Sequence, residues 1–376
     1  MKESKMNKKK NQTKKPLAVV TTGGSGGHIF PAESISEALI RKGYEVVFIT
    51  DKRGSAFRGL EGIKTYHLTA EHVMGRSFWG KLKGAWKLYC GVVQALMLLK
   101  RLNPNVVIGV GGYASIPAVM AAHMWRIPVI LHEQNAVLGR SNRFLAKNTK
   151  LILTAFNPTH RIPTNVRSVW VGQPVRPQIL AKKHAPYPLM DNGFNLLIFG
   201  GSQGATFFTR KLPHALLALP KDVRAKLSVT AQVRPEDMDE AKILYKDKGF
   251  KSVELKSFFD NMPELIEKSH LIIGRAGAST ITEAEIIGRP AILIPLPTSA
   301  DNHQLENARQ FSDAGAGWLL TEDNWDAEKF AVRLGQLINE PEVLYTAASE
   351  SYKLAKPNVS DEIADLVDDI VKGNQK

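Results

Sequence analysis

The chain has 376 residues and a single cysteine, Cys90. One thiol excludes an internal disulfide and suits a reducing cytoplasm. Nowhere do apolar residues run for the roughly 18–20 positions that a membrane-spanning helix needs. The longest candidate, Leu88 to Leu99, is too short and contains Gly91 and Gln94. Metal-site spacing is also missing: His132 and Glu133 are adjacent, which is not ligand spacing, and no other His, Cys or Asp cluster fits. Acidic residues are in deficit, 36 against 50 Lys and Arg, leaving a net charge of +14. That imbalance points to an anionic partner. A nucleic acid is one such partner in principle, but no recognisable binding module accompanies the charge.

Part of the charge lies in residues 1–15, MKESKMNKKKNQTKK, a lysine-rich stretch with almost no apolar content. It reads as a disordered tail and lacks the apolar core of a signal peptide. The remainder is still basic. With 44% hydrophobic and 23% charged residues it is globular, and its length favours two domains.

The chain says nearly the same thing twice. LAVVTTGGSGGH (17–28) and NLLIFGGSQGA (195–205) are apolar runs that end in glycines and lead into helical patterns. A buried strand, a glycine turn and a helix N-terminus make a phosphate-binding device. Further apolar runs occur at 45–50, 106–110, 128–132, 151–154 and 168–171, then at 227–230, 271–273 and 291–294. Helical periodicity separates most of them, as at 31–42, 80–102, 116–125, 279–288 and 303–314. Alternating strands and helices imply doubly wound parallel sheets. The expected fold class is therefore α/β, with two Rossmann-like domains facing across a cleft. The expected division is a tail (1–15), an N-terminal domain (16–172), a linker around Gly172–Pro177 (173–194), a C-terminal domain (195–350) and a helical segment (351–376) free to pack back on the N-terminal domain.

The first loop is followed by a helix expected to begin near Pro31, a favoured first-turn residue. A dinucleotide fingerprint starting at Gly24 fails, because it would need glycine at Ile29. His28 stands at a strand's carboxyl end and a helix N-terminus. That position favours a chemical role over packing, and the helix end disfavours imidazolium. A third cluster, Gly109-Val110-Gly111-Gly112-Tyr113, and the polar run His132-Glu133-Gln134-Asn135 also follow strands and belong at the cleft rim. Thr280 and Glu283 have capping-box spacing. Glu283 either closes that helix end or takes a ribose hydroxyl while the helix N-terminus faces a diphosphate; spacing does not separate the two.

Together these segments resemble the bacterial MurG family, the N-acetylglucosaminyltransferases that convert lipid I to lipid II in peptidoglycan synthesis. The resemblance rests on GGSGGHIFPA (23–32), GVGGYASIPA (109–118), PVILHEQNAVLGRSNRFLAK (128–147), VGQPVR (171–176), GGSQGA (200–205), GRAGASTITE (274–283) and DNHQLENA (301–308), in the family's order. It implies a glycosyltransferase fold of the B type, with UDP-GlcNAc mainly on the C-terminal domain and the lipid acceptor on the N-terminal one. It implies an inverting transfer of GlcNAc to the C4 hydroxyl of undecaprenyl-diphospho-MurNAc-pentapeptide, with no cofactor. His28 would be the base. Ser25, Gly26 and Gly27 would line the donor sugar and acceptor diphosphate, and Asn135, Arg176 and Ser202 would contact the donor. Phe259 would meet uracil through its backbone, Ala278, Ser279, Thr280, Ile281, Thr282 and Glu283 would bind uridine diphosphate, and Gln304 would lie near the GlcNAc hydroxyls. Ser25 often is threonine in the family, Phe259 is larger than the usual aliphatic residue, and His303 replaces a common glutamine.

Other readings remain: transfer to another lipid acceptor such as diacylglycerol, or a UDP-GlcNAc 2-epimerase that transfers nothing. A lipid acceptor requires a membrane face. Between 72 and 102, Arg76, Lys81, Lys83 and Lys87 interleave with Phe78, Trp79, Leu82 and Trp86, a pattern suited to an anionic bilayer surface. Phe78, Trp79, Lys81, Lys83 and Trp86 are the expected contacts, and Leu96 to Leu102 are assigned to the core. The expected location is peripheral, on the cytoplasmic face of the inner membrane, where cell-wall synthesis proteins are possible partners.

Overall fold

The computed structural model describes residues 15–23, 26–51, 62–69, 78–191, 193–200 and 206–373. The basic tail, Gly24, Ser25 and residues 201–205, Ser202 among them, lie outside the described residues. So do the side chains of Phe78, Trp79 and Lys81.

The first unit runs β1 (Leu17–Thr21), α1 (Gly26–Arg41), β2 (Glu45–Thr50), β3 (Lys64–His67), α2 (Phe78–Leu102), β4 (Val106–Gly109), α3 (Ser115–Met124), β5 (Val129–Glu133), α4 (Arg140–Leu145), β6 (Leu151–Thr154), β7 (Ser168–Trp170) and α5 (Pro177–Leu180). The second runs β8 (Phe194–Phe199), α6 (Thr206–Arg210), α7 (Leu212–Leu217), α8 (Lys221–Arg224), β9 (Leu227–Gln232), α9 (Met238–Tyr245), β10 (Ser252–Lys256), α10 (Met262–Lys268), β11 (Leu271–Gly274), α11 (Ala278–Ile287), β12 (Ala291–Leu293), α12 (His303–Asp313), β13 (Gly317–Leu319), α13 (Ala327–Asn339), α14 (Pro341–Lys353) and α15 (Val359–Gly373).

Two parallel sheets result, ordered β3-β2-β1-β4-β5-β6-β7 and β10-β9-β8-β11-β12-β13. Central strands such as VVIG (β4), LILT (β6) and LIIG (β11) are buried along their whole length. Helices cover both faces, so these strands read as continuous apolar runs. Strand order reverses between β1 and β4 in one sheet and between β8 and β11 in the other. Ligands in open α/β sheets bind outside the carboxyl ends of strands at such reversals. The turns after β1, β4 and β11 all stand there.

Three strands were not expected from apolar runs: β3 (KTYH), β10 (SVELK) and β13 (GWL). All three are sheet edges. An edge strand is partly solvated and need not be uniformly apolar. α1 also begins at Gly26, so Pro31 lies inside the helix rather than at its start. Proline there removes the N–H that would pair with the Gly27 carbonyl, four residues back.

After α14 the chain crosses back to the first unit. Val359, Ile363, Val367 and Val371, at four-residue spacing, and Ala364 join a core with Ile35, Leu39 and Phe48. At the crossing, Gly172 has φ +101°, and a Cβ there would lie 2.9 Å from Val359 and 3.0 Å from Lys356. Polar pairs ring the seam: Arg41–Asp361 at 2.6 Å, Lys42–Asp365, and the Tyr44 hydroxyl donating to Asp368 at 3.1 Å.

Ile363→Ala is expected to cost about 2–5 kcal/mol by removing a buried side chain from this seam. Asp361→Asn, which breaks an exposed pair, should cost under about 1 kcal/mol. Chemical denaturation of the two variants against the parent checks the contrast.

Candidate functional site

At the first strand reversal two glycine turns touch. Gly111 and Gly112 have φ of +85° and +79°, and Gly23 N–H donates to the Gly111 carbonyl at 3.1 Å. A Cβ on Gly112 would lie 2.8 Å from Gly23 Cα. A Cβ on Gly111 would lie 3.1–3.2 Å from the His28 ring and Gln134 Oε1. Both positions therefore need glycine, for conformation and for space.

His28, half-buried in the first turn of α1, has Nδ1 2.8 Å from Gln134 Oε1. Burial lowers its pKa below the ordinary value, more than the nearby Glu133 charge and the Gln134 bond raise it. His303, at the start of α12, lowers it further across the cleft. The ring is thus neutral near pH 7, as a general base must be.

The run after β5 supports this ring. Glu133 is buried and accepts four hydrogen bonds: from Asn135 N–H at 3.1 Å, Asn135 Nδ2 at 3.2 Å, Gly139 N–H at 2.9 Å and Asn142 Nδ2 at 2.8 Å. A carboxylate so fully engaged shapes the loop. His132 donates from Nε2 to the Gly172 carbonyl at 3.1 Å, and burial lowers its pKa to about 4. Asn135 Oδ1 accepts from Asn307 Nδ2 at 3.2 Å, and Asn307 Oδ1 accepts from Ala136 N–H at 2.8 Å, linking the two units.

At the second reversal α11 begins at Ala278, with Gly277 as an extended N-cap lacking a side-chain cap bond. Thr280 is thus the third helical residue and Glu283 the sixth, so of the two readings left open by spacing the capping box is not the one formed. The N–H groups of Ala278, Ser279 and Thr280 have no acceptors within the helix, whereas Ile281 N–H reaches the Gly277 carbonyl at 3.1 Å. Such a helix end attracts an anion. Ile281 and Thr282 are buried behind it.

Glu283, only 8% exposed, pairs with Arg176 at 2.9 Å. Burial raises its carboxyl pKa and the Arg176 charge opposes this. The Arg176 guanidinium also lies 4.7 Å from the Phe30 ring centroid on α1. Phe30, Arg176 and Glu283 therefore join the helices behind the two turns. Arg176 Nε is buried without a protein partner.

Gln304 Oε1 accepts from Leu296 N–H at 2.9 Å, holding the loop before α12. Phe259 is buried under Lys256, whose Nζ is 5.5 Å from its ring. Gly26 and Gly27 form the first turn of α1 beside His28. Asp301, before α12, binds Arg143 at 2.8 Å, Arg161 at 2.9 Å and Arg140 at 3.4 Å from the first unit. Among the described residues no group of three or more His, Cys, Asp or Glu side chains is placed to hold a metal ion.

Sequence reasoning placed Gln134 at the cleft rim without a role and missed Asn307 and Asp301 as members of this site. The polar run 132–135 and the motif DNHQLENA carried the signal, but their partners lie far away in the chain.

On α2, Lys83 and Trp86 are exposed. Leu99 is buried, but Met97 is 62% exposed, so the assignment of Leu96 to Leu102 to the core fails at Met97. One helical face carries Leu82, Trp86, Tyr89 and Met97, all exposed, with the Trp86 and Tyr89 rings stacked at 5.6 Å.

Two facing parallel-sheet domains with glycine turns at the strand reversals make a glycosyltransferase fold of the B type. The glycosyltransferase family 28 N-terminal domain matches residues 18–154, and that family's C-terminal domain matches residues 195–363. The UDP-N-acetylglucosamine--N-acetylmuramyl-(pentapeptide) pyrophosphoryl-undecaprenol N-acetylglucosamine transferase of Paramagnetospirillum magneticum is 41% identical over 94% of this chain and 97% of its own. The enzyme of the same name from Rhodospirillum rubrum is 43% identical over 94% of this chain and 92% of its own. Acinetobacter baumannii MurG superposes with a TM-score of 0.77 at 28% identity, covering 94% of this chain and 99% of that one. The chain belongs to glycosyltransferase family 28 and, within it, to the MurG family. A UDP-GlcNAc 2-epimerase from Neisseria meningitidis shares the fold alone, with a TM-score of 0.65 at 16% identity over 93% of this chain and 98% of its own.

Gly111→Ala should push into the His28 ring and Gln134 at a left-handed position. The expected result is a loss of about 10²-fold in glycosyl-transfer rate with the fold retained, read by initial rates and circular dichroism.

Proposed function

We propose that the protein transfers GlcNAc from UDP-GlcNAc to the C4 hydroxyl of undecaprenyl-diphospho-MurNAc-pentapeptide, converting lipid I to lipid II with inversion. Relatives of that activity more than 40% identical along nearly the whole chain carry this reading. The site geometry supports a direct displacement. His28 takes the proton of the acceptor hydroxyl as its oxygen bonds to the anomeric carbon. The bond from that carbon to the diphosphate breaks on the opposite face, and UDP leaves as an anion. The free N–H groups at the start of α11 and the Arg176 guanidinium stabilise the departing charge. Glu283, once relieved of Arg176, is free to accept from ribose, while Gly26, Gly27, Asn135 and Gln304 border the sugar. Ser25, Ser202 and the Phe259 backbone complete the donor site in this proposal.

Incubation with labelled UDP-GlcNAc and a short-chain lipid I analogue should give the disaccharide product. UDP with a free epimer would instead indicate an epimerase. His28→Ala should lower the rate roughly 10²–10⁴-fold. The neutral ring is the active form, so kcat/KM should fall as pH drops through a pKa below the ordinary histidine value of 6.5. That acidic limb should vanish in His28→Ala.

The acceptor's lipid requires contact with a bilayer. Among the described residues no helix is long and apolar enough to cross a membrane. We assign the contact to the α2 stripe, flanked by Lys83, Lys100 and the exposed Met124 and Trp125 at the end of α3; Phe78, Trp79 and Lys81, whose side chains lie outside the described residues, are assigned to the same contact from the sequence alone. Exposed aromatics beside lysines suit an anionic surface, which supports a peripheral position on the cytoplasmic leaflet. Replacing Leu82, Trp86 and Tyr89 together with serine should abolish sedimentation with anionic vesicles but preserve transfer to a water-soluble acceptor. Unchanged sedimentation by the folded variant would count against this face.

A further inference from the structure

We propose that Gln134 is a positioning residue that locks His28 as its Nδ1–H tautomer and leaves Nε2 as the basic nitrogen. The inference rests on His28 being the base and adds which nitrogen acts and what selects it. The amide orientation follows from its surroundings. Gln134 Nε2 lies 2.8 Å from the Val110 carbonyl, which can only accept, so that atom is the amide nitrogen. The other end, 2.8 Å from His28 Nδ1, is therefore the carbonyl oxygen, and Nδ1 must carry the hydrogen.

A second histidine braces the same amide. His132 donates from Nε2 to the Gly172 carbonyl, so its Nδ1 is an acceptor, 3.4 Å from Gln134 Nε2. Each hydrogen in the chain Gly172–His132–Gln134–His28 has one compatible position. Gln134 is 2% exposed, so water does not compete for its amide. The missing side chain of Gly111 leaves room for the bond between Gln134 and His28. A free histidine side chain favours the opposite tautomer, with hydrogen on Nε2, which would present a donor to the acceptor hydroxyl. Holding the ring the other way removes that inactive form.

The experiment is nitrogen-15 NMR of histidine-labelled full-length protein, with the His28 signal assigned by its loss in His28→Ala, alongside steady-state kinetics. The parent should show the Nδ1–H pattern at neutral pH; an Nε2–H pattern overturns the proposal without any Gln134 variant. Gln134→Met should move His28 to Nε2–H and lower kcat roughly tenfold or more, with KM for UDP-GlcNAc unchanged. An unchanged tautomer or an unchanged kcat overturns the role. Full transfer by His28→Ala would instead remove the base assignment, while the tautomer would still report on the Gln134 geometry.

Discussion

The close approach of two glycine turns at the first strand reversal is the constraint on which the site depends. Gly23 reaches Gly111 and Gly112 at distances that leave no room for a side chain. That approach brings the starts of α1 and the ends of β4 and β5 into one volume. His28 comes from the first, Val110 from the second and Gln134 from the third. A wider separation would leave His28 exposed to water, with neither a fixed tautomer nor a lowered pKa. The glycine-rich composition of both turns is therefore a packing requirement as much as a provision for phosphate.

The donor side is organised by charge. Arg176 and Glu283 form a partly buried pair between the linker and α11, and such a pair stabilises little by itself because both groups lose hydration. Its value is positional. Arg176 lies between Phe30 on the acceptor side and Glu283 on the donor side, with Nε unsatisfied by the protein. An incoming diphosphate offers Arg176 an alternative partner and frees the carboxylate for a sugar hydroxyl. Asp301, held by three arginines of the opposite unit, and Asn307, bonded to Asn135 and Ala136, keep the start of α12 against the cleft meanwhile.

The architecture was legible in the sequence because buried parallel strands are apolar on both faces and glycine clusters mark where they end. β3, β10 and β13 escaped because edge strands need not be apolar throughout. The start of α1 was misplaced because Pro31 suits a first turn, and composition does not reveal that a helix began five residues earlier. Thr280 and Glu283 had the spacing of a cap, yet Gly277 opens α11 and leaves Glu283 to a residue 107 positions away. Gln134 faced the same obstacle: its partner His28 is 106 positions away, and only the sheet order brings them together. Local patterns reveal elements and candidate groups, but which group orients which is a property of the tertiary fold.

Gly172 ties the base to the connection between units. The chain crosses between them there and again just before α15, where Lys356 and Val359 fill the space a Gly172 side chain would occupy. The Gly172 carbonyl accepts from His132, which faces Gln134, which orients His28. A change in angle between the units must be absorbed near these crossings, because α15 is packed into the first unit's core and moves with it. Any rotation that shifts the Gly172 peptide lengthens the His132 bond and loosens the amide that holds the base.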